Sequence, residues 1–350
     1  MGDLEMSRRR VLAAMGGAAA VAAVGRLGFS ADDRPVADNP INDRRKLKSV
    51  AATLLPGRHL DQVNQTRDTY LNIPDDDLLF GFRKHAKLAT PGNAMTGWCG
   101  NESSVIFGQI VSGLARMSSY LHDPKLAEKA VRLHEGWLQT VGDDGNPHTG
   151  TYGFDKFACG MVDLKLFANY DTTKPLSKMT EWASKHFDRT RSPAGPMDWD
   201  GRQPKGTLEW YTLGENMYRA FAATGDESFK TFADVWQYPA FWNKFAKTDR
   251  PTAAYPVHAY SHVNTFSSAA MAYAVSGDTH FLDVIKNAWS YLQGTQCYAT
   301  GGYGPITPRS AAGRGRRSSC PSISSSSPAT VITATGSSRC FLTRSDRACR

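Results

Sequence analysis

Three stretches concentrate side chains able to do chemistry. The first is His258-Ala259-Tyr260-Ser261-His262-Val263-Asn264, which follows a proline-bearing loop and enters a helical pattern. Two imidazoles four residues apart share one face of a helix. His258 and His262 are therefore candidates for binding a sugar hydroxyl or moving a proton; a helix cap and an internal histidine are the plain alternative. A zinc-protease HExxH site needs Glu after the first His, and Ala259 excludes that class.

The second stretch is Glu209-Trp210-Tyr211-Thr212-Leu213-Gly214-Glu215-Asn216. Glu209 is expected to open a helix, where the dipole favours a carboxylate. Glu215 lies six residues on, more nearly opposite than aligned, so the two make no obvious catalytic pair. A single acid beside aromatics is either a glycosidase acid or a first-turn residue. The third stretch is Tyr152-Gly153-Phe154-Asp155-Lys156-Phe157, joined by Trp98 and Gln109 nearer the N-terminus. Aromatic faces with short polar groups suit stacking on a sugar ring, and they suit a helix junction almost as well.

The elements that must position these groups are helices. Val105, Ile106, Ile110, Leu114 and Met117 recur at three- and four-residue spacing, His122-Asp123-Pro124 breaks the run, and Leu126 to Leu138 resumes it. The same unit is predicted at Phe157 to Asn169 with Pro175 to Phe187, at Leu208 to Ala223 with Ser228 to Tyr238, and at Val263 to Val275 with His280 to Leu292. Asp123, Asp171, Asp226 and Asp278 follow the first helix of each pair. No period-2 alternation of useful length interrupts the series. Paired helices at that spacing fit an α/α toroid or an α-solenoid. The long loops at 93–102, 142–156, 190–207 and 251–262, rich in Trp, Tyr, His, Asp and Gly, favour a toroid with a carbohydrate cleft on one face. The expected fold is thus all-α, an (α/α)6 toroid-like barrel incomplete at its C-terminal end.

Composition narrows the function classes. Of 350 residues, 41% are hydrophobic and 21% charged, which excludes a disordered polyelectrolyte, a collagen-like fibre and a disulfide-knotted scaffold. The formal charge of +8 invites a nucleic-acid reading. Residues 306–350, however, hold 8 Arg and a single acid, Asp346, which leaves the preceding 305 residues at a net +1. A nearly neutral body lacks the basic surface that nucleic-acid binding requires. There is no GxGxxG, Walker A or GxSxG sequence, so dinucleotide, nucleotide-triphosphate and α/β-hydrolase chemistries lack their supports.

The ends read differently from the body. Ser7-Arg8-Arg9-Arg10-Val11-Leu12 and the Ala/Gly-rich run behind it resemble a twin-arginine export signal over 1–30. That run is too short for a stable membrane span. The expected partners are accordingly the twin-arginine export machinery and a glycan, with no nucleic acid and no stable membrane span, and the expected location is periplasmic or extracellular in a bacterium. A polar lead-in occupies 31–54 and the helical domain 55–305. The Ser/Arg-rich segment 306–350 reads as a disordered basic tail or, as we favour, as sequence out of frame. Cys320, Cys340 and Cys349 belong to it, while Cys99, Cys159 and Cys297 are scattered through the body without a CxxC pair. Buried small hydrophobes are their simplest role.

Several blocks in order resemble the bacterial β-L-arabinofuranosidases of glycoside hydrolase family 127. They are Gln65-Thr66-Arg67-Asp68-Thr69-Tyr70-Leu71 through Asp77-Leu78-Leu79, Phe82-Arg83, Gly97-Trp98, Gly108-Gln109 to Leu114, Leu208 to Asp226, His258 to Val263, and Tyr298-Ala299-Thr300-Gly301-Gly302. The resemblance covers roughly 55–305. It implies an (α/α)6 barrel and retaining hydrolysis of arabinofuranosides, with zinc held by one Glu and three Cys and one of those cysteines as nucleophile. The Glu and cysteines of that site fall after the Gly-Gly block, where this chain becomes Ser/Arg-rich. No nucleophile and no zinc ligand are therefore assigned, and the chain as written is expected to carry no cofactor and to be inactive or impaired. His258 and His262 are the residues the resemblance places at the sugar, with Tyr152 and Lys156 on another substrate-side segment. Gln109 stands where many members place His. The alternatives are a non-catalytic glycan-binding or structural helical protein and, less favoured, a lyase or uronyl hydrolase on a toroid.

Overall fold

The computed structural model describes residues 55–96, 105–191, 209–251 and 259–295, all within one unit, Asp38–Arg350. The export segment 1–30, the lead-in 31–54, the tail 306–350, Trp98 and His258 lie outside the described residues. Among the described residues the secondary structure is helical throughout, with no strand. The helices are α1 (Arg58–Asn72), α2 (Asp75–His85), α3 (Val105–Leu121), α4 (Pro124–Leu138), α5 (Thr151–Phe167), α6 (Thr173–His186), α7 (Leu213–Thr224), α8 (Glu227–Val235), α9 (Pro239–Trp242), α10 (Ala259–Ser276) and α11 (Thr279–Thr295). Short 3-10 turns occupy Arg189–Arg191 and Trp210–Thr212.

The hairpin turns explain why the chain folds back where it does. Asp123 accepts the Lys125 N–H at 3.0 Å, Asp171 the Thr173 N–H at 3.2 Å, Asp226 the Ser228 N–H at 3.0 Å and Asp278 the His280 N–H at 2.9 Å. Each carboxylate satisfies a donor that the new helix cannot use internally. A left-handed residue lies one position ahead of Asp123, Asp226 and Asp278 and two ahead of Asp171: His122, Gly225, Gly277 and Asn169, with φ between 52° and 76°. Two of these positions are not glycine, so the turn is a shared geometry reached with different residues.

The hairpins pack in two layers. The inner layer is α3, α5, α7 and α10, each in contact with the next; the outer layer is α4, α6, α8 and α11, each against its own hairpin partner. Inner contacts advance together along both chains. Gly108 meets Lys156 and Arg116 meets Asp163; Thr212 meets Asp155 and Arg219 meets Asp163; Tyr211 meets His262 and Glu215 meets Ser268. The four inner helices are therefore parallel and begin at the same end. Helix α5 is the centre of the array and, from Gly153 to Leu164, is buried on every side, as expected of a helix apolar all round. Gly108 and Gly160 set its approach to α3. A Cβ on Gly108 would lie 2.1 Å from the Lys156 carbonyl oxygen, and one on Gly160 would lie 2.8 Å from the Gly108 carbonyl oxygen.

The structure moves several predicted boundaries. Helix α5 begins at Thr151 rather than Phe157, and α10 at Ala259 rather than Val263, so the ends of the predicted loops 142–156 and 251–262 are helical. Helices α1 and α2 were not anticipated; α1 is polar and buries no residue fully. The all-α class and the paired helices agree with expectation.

Candidate functional site

The end at which the inner helices begin brings together residues far apart in sequence. Gln109 sits half-buried in the first turns of α3, next to the glycine that packs on the Lys156 backbone. In the first turns of α5, the Lys156 ammonium lies 4.7 Å from the centre of the Tyr152 ring and 2.8 Å from Asp155 Oδ2. Asp155 reaches the next helix: its Oδ2 accepts from Thr212 Oγ1 at 3.0 Å and its Oδ1 from Asn216 Nδ2 at 2.7 Å. The Thr212 N–H in turn donates to the Glu209 carbonyl at 3.1 Å, which also lies 3.1 Å from the Thr212 hydroxyl oxygen. On the last inner helix, His262 Nδ1 lies 3.2 Å from the Tyr211 hydroxyl. The row thus runs Gln109, Tyr152 with Lys156, Asp155, Thr212 with Glu209, Tyr211, His262.

Local sequence accounts for the placement. Trp210, Tyr211 and Leu213 are wholly buried, and this anchors the 3-10 turn ahead of α7. The turn forces Glu209 into the left-handed region at φ 48°, an uncommon conformation for a residue with a Cβ. Glu209 therefore caps a 3-10 turn instead of opening an α-helix, which corrects the sequence expectation, and only 8% of it is exposed. Of the aromatics at 152–157, Phe154 and Phe157 are core residues, as a helix junction requires, and Tyr152 alone is half-buried. His262 is enclosed by Tyr211, Phe241 and Tyr238, whose ring centres lie 4.5, 5.1 and 6.2 Å away.

Charged groups are unusually dense behind this row. Asp163 accepts from Arg116 Nε at 2.6 Å and from Ser112 Oγ at 2.5 Å, and it is also bonded by Arg219. Burial pushes its carboxyl up, but the two guanidiniums outweigh that and hold it below the usual carboxylate range. Glu215 has the opposite balance. Burial drives its carboxyl up to about 7; Arg219 opposes the rise and Asp155 adds to it. Cys159 lies in the same layer with its Sγ 3.6 Å from Ser112 Oγ. Desolvation raises its thiol to about 11, so burial there favours the neutral thiol. Among the described residues no group of three or more His, Cys, Asp or Glu is placed to hold a metal ion; the segment where the resemblance places the zinc set lies outside the described residues.

Sequence reasoning named Gln109, Tyr152, Lys156, Glu209 and His262, and the structure sets all five in this row. It missed Asp155, which joins two helices of the row, and the Arg116–Asp163–Arg219 cluster. The available signal was a charge inside an apolar helical run, as with Arg116 between Ala115 and Met117.

Parallel inner helices joined by capped hairpins, with polar side chains gathered where those helices begin, describe an all-α helical-hairpin scaffold. The chain belongs to the family of the β-L-arabinofuranosidase GH127 catalytic domain, whose sequence model matches residues 51–322. Among solved structures, a GH127 β-L-arabinofuranosidase from Geobacillus stearothermophilus T6 is similar at TM-score 0.50 and 14% identity, over 72% of this chain and 47% of that one. A second GH127 β-arabinofuranosidase is similar at TM-score 0.47 and 15% identity, over 69% of this chain and 43% of that one. The chain therefore spans about half the length of these relatives, and at such identity the likeness is one of fold. No curated protein matches the sequence. Among the described residues no helix is long and apolar enough to cross a membrane.

Proposed function

We propose that this chain is an exported carbohydrate-active protein that binds an L-arabinofuranoside of a plant-type glycan at the end where α3, α5, α7 and α10 begin. The supporting observation is the row itself, in which three helices and the 3-10 turn ahead of α7 place side chains suited to a sugar along one edge. His262, held with Nδ1 3.2 Å from the Tyr211 hydroxyl, would bring an imidazole to a sugar hydroxyl. Lys156 and Gln109 supply donors, Glu209 an acceptor, and Tyr152 an aromatic face for a sugar ring. His258 and Trp98 complete the set of proposed contacts.

The hairpin array is read as part of an (α/α)6 barrel spanning 55–305, preceded by an export segment at 1–30 and a lead-in at 31–54. For relatives the family resemblance implies retaining hydrolysis. In this chain turnover is expected to be absent or impaired, because the segment 306–350, read as out of frame, is Ser/Arg-rich where the resemblance places a carboxylate and cysteines. We derive no step through zinc. Re-reading the gene after codon 305 tests the frame proposal: another frame should restore helix-like sequence with a Glu and a Cys, and stop-rich frames refute it.

Binding is tested directly by titrating the full chain with a methyl L-arabinofuranoside. His262→Ala and Lys156→Ala are each expected to weaken binding about tenfold or more, as loss of a buried polar contact implies. Unchanged affinity in folded variants would remove this end of the array from the site and favour a structural helical protein.

A further inference from the structure

Helix α2 ends at His85, and the loop that leads from α4 into α5 carries His148, both exposed. Their ring centres lie 5.0 Å apart with the planes at 58°. We propose that His85 and His148 form a two-imidazole site for a divalent transition-metal ion of the zinc or nickel class, its remaining positions filled by water.

The spacing carries the argument. An imidazole nitrogen sits about 2.0–2.1 Å from zinc. Two rings on one ion, at coordination angles of about 90–110°, then have centres about 4.5–5.2 Å apart. The observed separation falls inside that window without movement of either backbone. The loop holds its member in place: His148 has φ 54°, its N–H donates to Asn146 Oδ1 at 2.8 Å, and the Asn146 N–H donates to Asp144 Oδ1 at 3.0 Å. Electrostatics point the same way. Desolvation and the neighbouring His85 both disfavour a proton on His148, whereas the Asp144 carboxylate favours positive charge there. One shared cation meets that attraction without requiring two imidazolium rings to face each other. Imidazole suits zinc, copper and nickel alike. The bound ion would tie the end of α2 to the loop that launches α5, and it is separate from the zinc set implied by the family resemblance, which uses cysteines.

The test is calorimetric titration of the tag-free full chain with Ni2+ at pH 7.5, alongside His85→Ala, His148→Ala and His186→Ala. One site per chain is expected, weakened at least tenfold by either of the first two replacements and unchanged by the third. Both residues are exposed, and unaltered circular dichroism melts will show that the variants fold; His85→Gln and His148→Gln give a second pair with smaller volume change. Nickel binding left unweakened by His85→Ala and by His148→Ala, or no binding by the parent chain, overturns the proposal.

Discussion

Two carboxylates on the inner layer, Asp163 and Glu215, are equally buried yet held in opposite states. Asp163 lies toward the C-terminal end of α5, where Arg116 comes from α3 and Arg219 from α7, and it is fully ion-paired. Glu215 lies at the start of α7 and shares the field of Arg219 with Asp163, while Asp155 repels it. Depth does not separate the two. What differs is how many guanidiniums each carboxylate can claim for itself. The interior is thus locked in one place and titratable near neutrality in another, one to two helical turns away, close to the proposed binding end.

The largest effect should come from breaking the locked member. Asp163→Asn leaves two guanidiniums buried without a counter-charge and is expected to cost about 3–5 kcal/mol, the range seen when one partner of a buried pair is removed. Urea unfolding at pH 7 measures it. The pH dependence has a definite sign. A carboxyl held low in the fold stabilises above its unfolded pKa, and this contribution is lost as pH falls through the lower folded value. A variant that unfolds at the parental urea midpoint would mean that the three-residue cluster contributes nothing net.

Glu215 should behave in reverse. Its carboxyl rises from 4.5 to about 7 on folding, so the folded chain binds the extra proton between those values and loses stability as pH rises through them. That shift corresponds to about 3 kcal/mol between pH 4.5 and pH 8. Glu215→Gln mimics the protonated form. It should raise the melting temperature at pH 8 and leave it unchanged at pH 4.5. Equal effects at both pH values would refute titration of this residue and erase the contrast with Asp163.

A third comparison concerns helix approach. Gly108→Ala places a methyl 2.1 Å from a backbone oxygen of α5, and backbone cannot swing aside. A loss of about 1–3 kcal/mol is expected from such overpacking, together with weaker sugar binding because Lys156 is displaced. Gly214→Ala on α7 meets the Ser268 Cβ at 3.1 Å and its Oγ at 3.3 Å. There a small adjustment and the better helix propensity of Ala, worth about 1 kcal/mol, should nearly cancel. Equal losses at the two positions would mean that α3–α5 is no tighter than α7–α10.

These contrasts also show what could be read from the chain beforehand. The hairpins were legible because Asp123, Asp171, Asp226 and Asp278 act locally, each on an amide two residues ahead, and local chemistry leaves a local pattern. Helix α1 was not legible, since its apolar side chains are only partly covered and its stripe is faint. The start of α5 was lost for the opposite reason: a helix buried on all sides has no polar face to set a period. Asp155 and Asp163 were missed because their meaning lies in Thr212, Asn216 and Arg219, more than fifty residues away. Gln109, Tyr152, Lys156, Glu209 and His262 could be named as candidates by type and resemblance, but their alignment required four parallel helices in register.

At the hairpin turns a carboxylate has a third task, and there the smallest effects are expected. Asp226 caps α8 through the Ser228 N–H and also accepts from Ser177 Oγ of α6 at 3.2 Å. It therefore joins two successive hairpins as well as starting one. Removing a cap costs about 1 kcal/mol, and the added hydrogen bond contributes about 0.5–1.5 kcal/mol more where water is partly excluded. Asp226→Ala should thus lower stability by about 1.5–2.5 kcal/mol, and Ser177→Ala by less. The double variant should lose less than the sum, because both single changes delete the same bond. Urea unfolding of the four chains gives the coupling. Strict additivity would show that Asp226 serves its own helix alone, and that successive hairpins are held together by the interior and not by their turns.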